Sequence, residues 1–200
     1  MSVEIPFNRW NHLGVADVVA LFKDAPFAWC IAGGYAVELF LGKQIRQHDD
    51  IDVMIYRDEQ LRVQEWLAGW QLYAADPPGT LRSWNQHEYL PYGIHDIWGH
   101  QIESDAWQMQ LMIAEVAGDA WFSRRNDQIG GKRNELIVYY QGVACIRIEV
   151  QLFYKAKGLR PKDEQDFQAC LPKLDTAAKV WLKENLQIAY SAAHPWLEKL

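Results

Sequence analysis

Residues 29–55 read WCIAGGYAVELFLGKQIRQHDDIDVMI. An apolar run from Trp29 to Ala32 meets a glycine pair, Gly33-Gly34, and predicts a strand over 28–32. Ala36, Val37, Leu39, Phe40 and Leu41 then recur at helical spacing, which predicts a helix over 34–41. Gly42 ends it, because glycine tolerates the left-handed backbone of a helix C-terminus. Past Arg46 and His48, Asp49-Asp50-Ile51-Asp52-Val53-Met54-Ile55 alternates acid with apolar residue and then runs apolar, predicting a strand over 50–56. Residues two apart on a strand share a face, so Asp50 and Asp52 project together while Ile51 and Val53 turn to the core.

Two carboxylates side by side repel unless a cation lies between them. A hard divalent ion such as Mg²⁺ fills that role, taking carboxylate and phosphate oxygens and keeping several waters. Gly33 and Gly34 complement the pair. Lacking side chains, they open the backbone N–H groups of a helix start to a phosphate, where the helix dipole favours an anion.

This order resembles the signature of the nucleotidyltransferase superfamily: an apolar strand, a glycine turn, a helix and an Asp-x-Asp strand. The closer resemblance is to the small aminoglycoside- and lincosamide-type nucleotidyltransferases. It is carried by Gly33, Gly34, Tyr35, Ala36, Val37, Glu38, Gly42, Lys43, Arg46, His48, Asp50, Ile51 and Asp52. Further matches lie at His95-Asp96-Ile97-Trp98, at Gly118–Asp127, at Glu149–Lys157 (with Ile148 where proline is usual) and at Arg160–Phe167.

The resemblance implies an α+β fold, a polymerase-β-like mixed sheet flanked by helices. It divides the chain into a core of residues 1–148 and a C-terminal helical part, 149–200, packed on it. It also implies Mg²⁺-dependent transfer of a nucleoside monophosphate, AMP from ATP, to a hydroxyl of a small aminoglycoside- or lincosamide-like acceptor. Asp50 and Asp52 are then the metal ligands and catalytic acids. Gly33, Gly34, Arg46, His48 and Lys155 bind the nucleotide, with Lys157 as an alternative to Lys155. One departure stands out. The family's third carboxylate, on the strand predicted over 106–114 (AWQMQLMIA), falls on Gln110, which is neutral and a poor metal ligand. Asp105 and Glu115 have opposite strand parity, so Glu149 is the expected substitute, as base for the acceptor hydroxyl. The loss at Gln110 also leaves open a nucleotide-binding regulatory module without transfer. Transfer to a protein or to RNA is a further alternative.

Composition narrows these choices. Among the 200 residues the formal net charge is −6, which disfavours a nucleic-acid partner bound through phosphate contacts. Cys30, Cys145 and Cys170 are scattered thiols suited to a reducing cytoplasm. The N-terminus has no signal-peptide pattern, and no apolar run approaches a membrane span, so a cytoplasmic enzyme is expected.

Elsewhere, periodicity predicts an amphipathic helix over 8–24 and a helix from Asp58, as N-cap, to about Trp70. A turn is expected at Asp76–Gly79. The aromatic stretch 81–100 reads as a pocket wall or an inter-element helix, and its histidines match no helical zinc motif. Arg124 and Arg125 brace a loop or reach phosphates. A hairpin is expected over 135–148 about Gln141-Gly142, then helices broken at Leu171-Pro172. Lys162, Asp163 and Asp166 read as a structural ion-pair cluster.

Overall fold

The structure is a computed structural model that describes residues 5–190 and 193–200. Its centre is a mixed sheet. Strand β1 (Trp29–Ile31) leads through helix α2 (Gly33–Leu41) to β2 (Asp52–Tyr56), which pairs antiparallel with β1. On its other side β2 runs parallel to β6 (Met109–Ala117), with Asp52 opposite Gln110. Beyond β6 lie β5 (Asp96–Gln101), β3 (Trp70–Ala74) and the short β4 (Arg82–Ser83), all antiparallel to their neighbours. On the far flank β1 runs parallel to β10 (Val143–Ile146), which forms a hairpin with β9 (Ile137–Tyr140). A second hairpin, β7 (Ala120–Ser123) and β8 (Asn126–Lys132), branches from the end of β6.

Ile51, Val53 and Ile55 are fully buried, as the alternation from Asp50 to Asp52 requires. Each contributes about 1.5–3 kcal/mol by leaving water, so the register that presents the aspartates is anchored by the core behind them. Gly42 closes α2 at φ 72°, its N–H donating to the Glu38 carbonyl at 2.8 Å. Gln141 and Gly142, both at positive φ, make the β9–β10 turn.

Helices α4 (Ile148–Ala156), α5 (Pro161–Cys170) and α6 (Thr176–Tyr190) follow, a tight turn at Leu171–Lys173 separating the last two. With Val37 and Leu41 of α2 and Ile129 of β8 they bury Leu152, Phe153, Phe167, Leu182 and Trp196 in a core cluster of their own. Six α-helices thus flank the sheet among the described residues. None of them is long and apolar enough to cross a membrane.

Three local expectations are corrected. The helix expected over 8–24 forms only as α1 (Val15–Phe22). Before it the chain is extended: Trp10 bridges Trp107, and main-chain bonds join Arg9, Asn11 and Leu13 to residues 107–108. Gly14 stops the helix from growing backward, its N–H donating to the Asp17 carboxylate at 2.9 Å. Asp58 caps nothing. It lies in a 3-10 turn (Arg57–Glu59) ahead of α3 (Gln60–Trp66) and pairs with Arg133. The stretch 81–100 holds no helix. Pro91 and Gly93 interrupt it, and Arg57 fastens it by donating to the carbonyls of Leu90, Pro91 and Ile94.

Candidate active site

A cleft of about 300 Å³ opens where the start of α2 meets the edge of the β2–β6–β5 surface. Its floor is made by strand register. Asp52 on β2 faces Gln110 on β6, and Asp96 on β5 faces Met112 two residues further along β6. All four line the cleft, together with Asp50. The strand begins at Asp52 and not at residue 50 as expected, yet Asp50, two residues before it, lines the same cleft as Asp52. Burial, and then the charge of Asp50, push the Asp52 carboxyl up to about 7. A carboxyl held this way gains from any cation that lets it ionise.

The glycine pair meets the aspartates directly. Gly33 has φ 65°, and its N–H donates to Gln151 Oε1 at 2.7 Å. A Cβ at Gly33 would overlap the Asp52 carboxylate, and one at Gly34 would overlap the His48 ring and the Arg46 guanidinium. The glycines therefore serve close approach between the turn and these side chains, while the first turn of α2 keeps unpaired N–H groups beside the cleft.

Opposite the acids stands a basic wall. Arg46, Arg124, Arg125, Lys155, Arg160 and Lys162 all line the cleft. Three of the six are held by buried carboxylates. Arg46 donates to both oxygens of Asp166 at 3.0 Å each. Lys155 Nζ lies 2.8 Å from Asp166 Oδ2 and 3.7 Å from Asp163 Oδ1. Arg160 holds Asp163 through Nε at 2.7 Å. Asp163 and Asp166 are fully buried, and these cations keep both carboxyls below their usual range despite burial. Lys162 has no ion-pair partner among the described residues. Arg125 is tied down through its bonds to the Phe153 carbonyl and the Tyr190 hydroxyl, both 3.2 Å.

The structure brings Gly33, Gly34, Arg46, Asp50, Asp52 and Lys155 together at this cleft. Two expected site residues lie elsewhere. His48 sits behind Gly34, its Nε2 3.0 Å from Glu38 Oε1 and its ring 4.2 Å from that of Tyr35. Burial lowers its pKa, with the Glu38 bond opposing, so it braces the turn as a packed imidazole. Glu149 is buried against Arg147 and does not line the cleft. The helical period explains this. Gln151, Tyr154 and Lys155 form the cleft-facing stripe of α4, and Glu149, two residues before Gln151, points about 200° away. Lys157 is exposed outside the cleft.

The acid that sequence reasoning missed is Asp96. Arg124 Nη1 approaches its Oδ1 at 3.2 Å, and Gln110 Nε2 donates to the same oxygen at 3.3 Å. Gln110 thus occupies the expected place beside Asp52 but orients an acid on the adjacent strand. The signal present in sequence was the alternation Asp96, Trp98, His100; its register against β6 was not readable there.

A glycine turn opening a helix over paired aspartates, on a mixed sheet with a basic wall, is the architecture of a nucleotidyltransferase. A profile of the aminoglycoside-2''-adenylyltransferase family matches residues 14–170. The crystal structure of ANT(2'')-Ia in complex with adenylyl-2''-tobramycin is similar at a TM-score of 0.52 and 19% identity, over 85% of this chain and 93% of that one. The lincomycin-bound lincosamide adenylyltransferase LnuA is similar at 0.51 and 19%, over 81% and 97%. The solution structure of ANT(2'')-Ia gives 0.53 and 18%, over 89% and 91%. A search of curated sequences finds no significant match. The chain belongs to the aminoglycoside-2''-adenylyltransferase family, and it is an enzyme of the nucleotidyltransferase type.

Proposed function

We propose that this enzyme transfers AMP from ATP to a hydroxyl of a small amine-bearing acceptor, in the cytoplasm, with Mg²⁺. The observation that carries the reading is the opposition of three cleft aspartates, Asp50, Asp52 and Asp96, to six cationic side chains across one narrow space. Among the described residues no group of three or more His, Cys, Asp or Glu converges as a complete metal cage. A pair of carboxylates completed by substrate phosphates is how Mg²⁺ is usually held, so Asp50 and Asp52 fit the ion. When bound there, the ion supplies charge neutralisation at the α-phosphate and at the departing pyrophosphate.

The rest of the chemistry belongs to the chain. The N–H groups at the start of α2 and the side chains of Lys155, Arg160 and Lys162 bind the triphosphate. Asp163 and Asp166 fix Lys155 and Arg46 before the nucleotide arrives, which lowers the cost of ordering them. Asp96 accepts the proton of the acceptor hydroxyl as its oxygen bonds to the α-phosphorus and the bond to pyrophosphate breaks. Arg124 and Gln110 orient Asp96 for this, the role that Glu149, turned away on α4, cannot fill from its position.

Gln110 favours a second reading, nucleotide binding without transfer. The test for both is incubation with Mg²⁺, each of the four nucleoside triphosphates and an acceptor panel. The panel runs from lincomycin, a glycoside with a single amine, to tobramycin, which carries several. Pyrophosphate release that needs both ATP and an acceptor is the expected result. Calorimetric binding of Mg²⁺-ATP with no pyrophosphate under any pairing would establish the second reading instead.

A further inference from the structure

We propose that the acceptor docks on an aromatic shelf beside the cleft, formed by Trp98, Trp10 and Phe7, and that it is a glycoside bearing a single positive charge. The inference rests on the transfer reading and names the acceptor's place and chemical class. It starts from register. Asp52, Gln110 and Trp98 are direct neighbours across β2, β6 and β5, so Trp98 stands two strand spacings, about 10 Å, from Asp52. It also lies two residues from Asp96 on the same strand face. A molecule stacked there holds a hydroxyl within reach of Asp96.

Trp98 is not alone. Its ring lies 4.9 Å from Trp10, 5.4 Å from Phe7 and 5.4 Å from Trp107, each approached edge-on. Trp107 is buried, while Trp98 and Trp10 are part-exposed and Phe7 is 51% exposed. The buried ring thus props up the exposed ones. The N-terminal segment that brings Phe7 and Trp10 here is fixed by its main-chain bonds to residues 107–108. Flat aromatic surface at low conformational cost suits the apolar face of a sugar ring.

Beside the shelf opens a depression of about 660 Å³ that includes Asn8, Asn11, His12 and Asp49 along with Phe7 and Trp10. The Arg46–Asp50 loop stands between it and the cleft, Arg46 and Asp50 lining the cleft and Asp49 the depression, with His12 Nε2 3.0 Å from the His48 carbonyl. The amides of Asn8 and Asn11 match hydroxyl groups. Among the described residues Asp49 is the only carboxylate lining this depression, and it has no ion pair there. One unpaired carboxylate among amides and aromatic rings complements one ammonium group. A polyamine would need several.

The test is calorimetric titration of the nucleotide-free protein with lincomycin and with tobramycin, for the wild type and for Phe7→Ala, Trp10→Ala and Asp49→Asn. Thermal midpoints check that each variant folds; Phe7, exposed at the surface, is the safest change. Lincomycin is expected to bind more tightly than tobramycin. Trp10→Ala and Phe7→Ala are each expected to raise its Kd about five- to tenfold, and Asp49→Asn about three- to fivefold. Where transfer is observed, the same two aromatic changes raise the acceptor KM and leave the nucleotide KM in place. No lincomycin binding, a Kd unmoved by both aromatic changes in folded protein, or tighter tobramycin binding would overturn the proposal. Binding is read without turnover, so a failure of transfer leaves these Kd values standing, and a failure of the shelf leaves pyrophosphate release standing.

Discussion

The two walls of the cleft are built on opposite principles. In the acidic wall Asp52 on β2 and Asp96 on β5 are placed by backbone register, Asp50 lies two residues before β2, and the central carboxyl, Asp52, lies in an unfavourable field, pushed up to about 7 by burial and by Asp50. The basic wall, Arg46, Lys155 and Arg160, is placed by side chains, each cation already satisfied by fully buried Asp163 or Asp166. One wall is short of charge compensation, while these three cations of the other are paired before any ligand arrives. On the proposed reading, the difference teaches where binding energy is to be gained: at the aspartates, through a cation, while buried carboxylates keep the cations opposite them rigid.

The sharpest way to break this contrast is at the acids. Asp52→Asn or Asp50→Asn is expected to lower kcat about 10⁴-fold, the several kcal/mol that charge neutralisation supplies at a phosphoryl centre. The thermal midpoint should hold or rise, because a strained carboxyl has been removed. Steady-state pyrophosphate release together with a melting curve reads both.

Asp96→Asn is expected to cost about 10²–10³-fold in kcat with little change in nucleotide KM, as loss of a general base does. Glu149→Gln should retain the wild-type rate to within a few-fold. The reverse ranking, in the same assay, would restore Glu149 as the base.

On the basic wall the effect should fall on stability first. Asp166→Asn leaves Arg46 and Lys155 without their shared buried partner, for a loss of about 3 kcal/mol in denaturant unfolding. A variant that unfolds like the wild type would show that the wall is not held in the way described.

The smallest effect is a pH dependence. The folded Asp52 carboxyl, at about 7, lies above its unfolded value near 3.8, so the metal-free fold is favoured at low pH and loses this contribution as pH rises between those values. Mg²⁺ takes the ionised form. The rise in thermal midpoint on adding Mg²⁺ should therefore be larger at pH 8 than at pH 5.5.

The same contrast explains what the sequence disclosed. The acidic wall was largely legible because its logic is local: Gly33 and Gly34, the helix, then Asp50 and Asp52, all within a short span of chain. The β9–β10 hairpin followed from similar local signals. Asp96 was hidden because its place depends on the pairing of β5 with β6, a long-range fact. Glu149 falls outside the cleft because a short motif does not reveal which side of a helix meets it. The segment before α1 is extended because it pairs with residues 107–108, a contact far away in sequence that local periodicity does not disclose.

The central claim is that Asp50 and Asp52 share one cation beneath the nucleotide. Electron paramagnetic resonance of Mn²⁺, titrated into the protein with a non-hydrolysable ATP analogue, tests it most directly. The account predicts one tightly bound Mn²⁺ per chain that is lost in the Asp50→Asn, Asp52→Asn double variant. Bound Mn²⁺ that persists undiminished in that variant, with the nucleotide still in place, would contradict it.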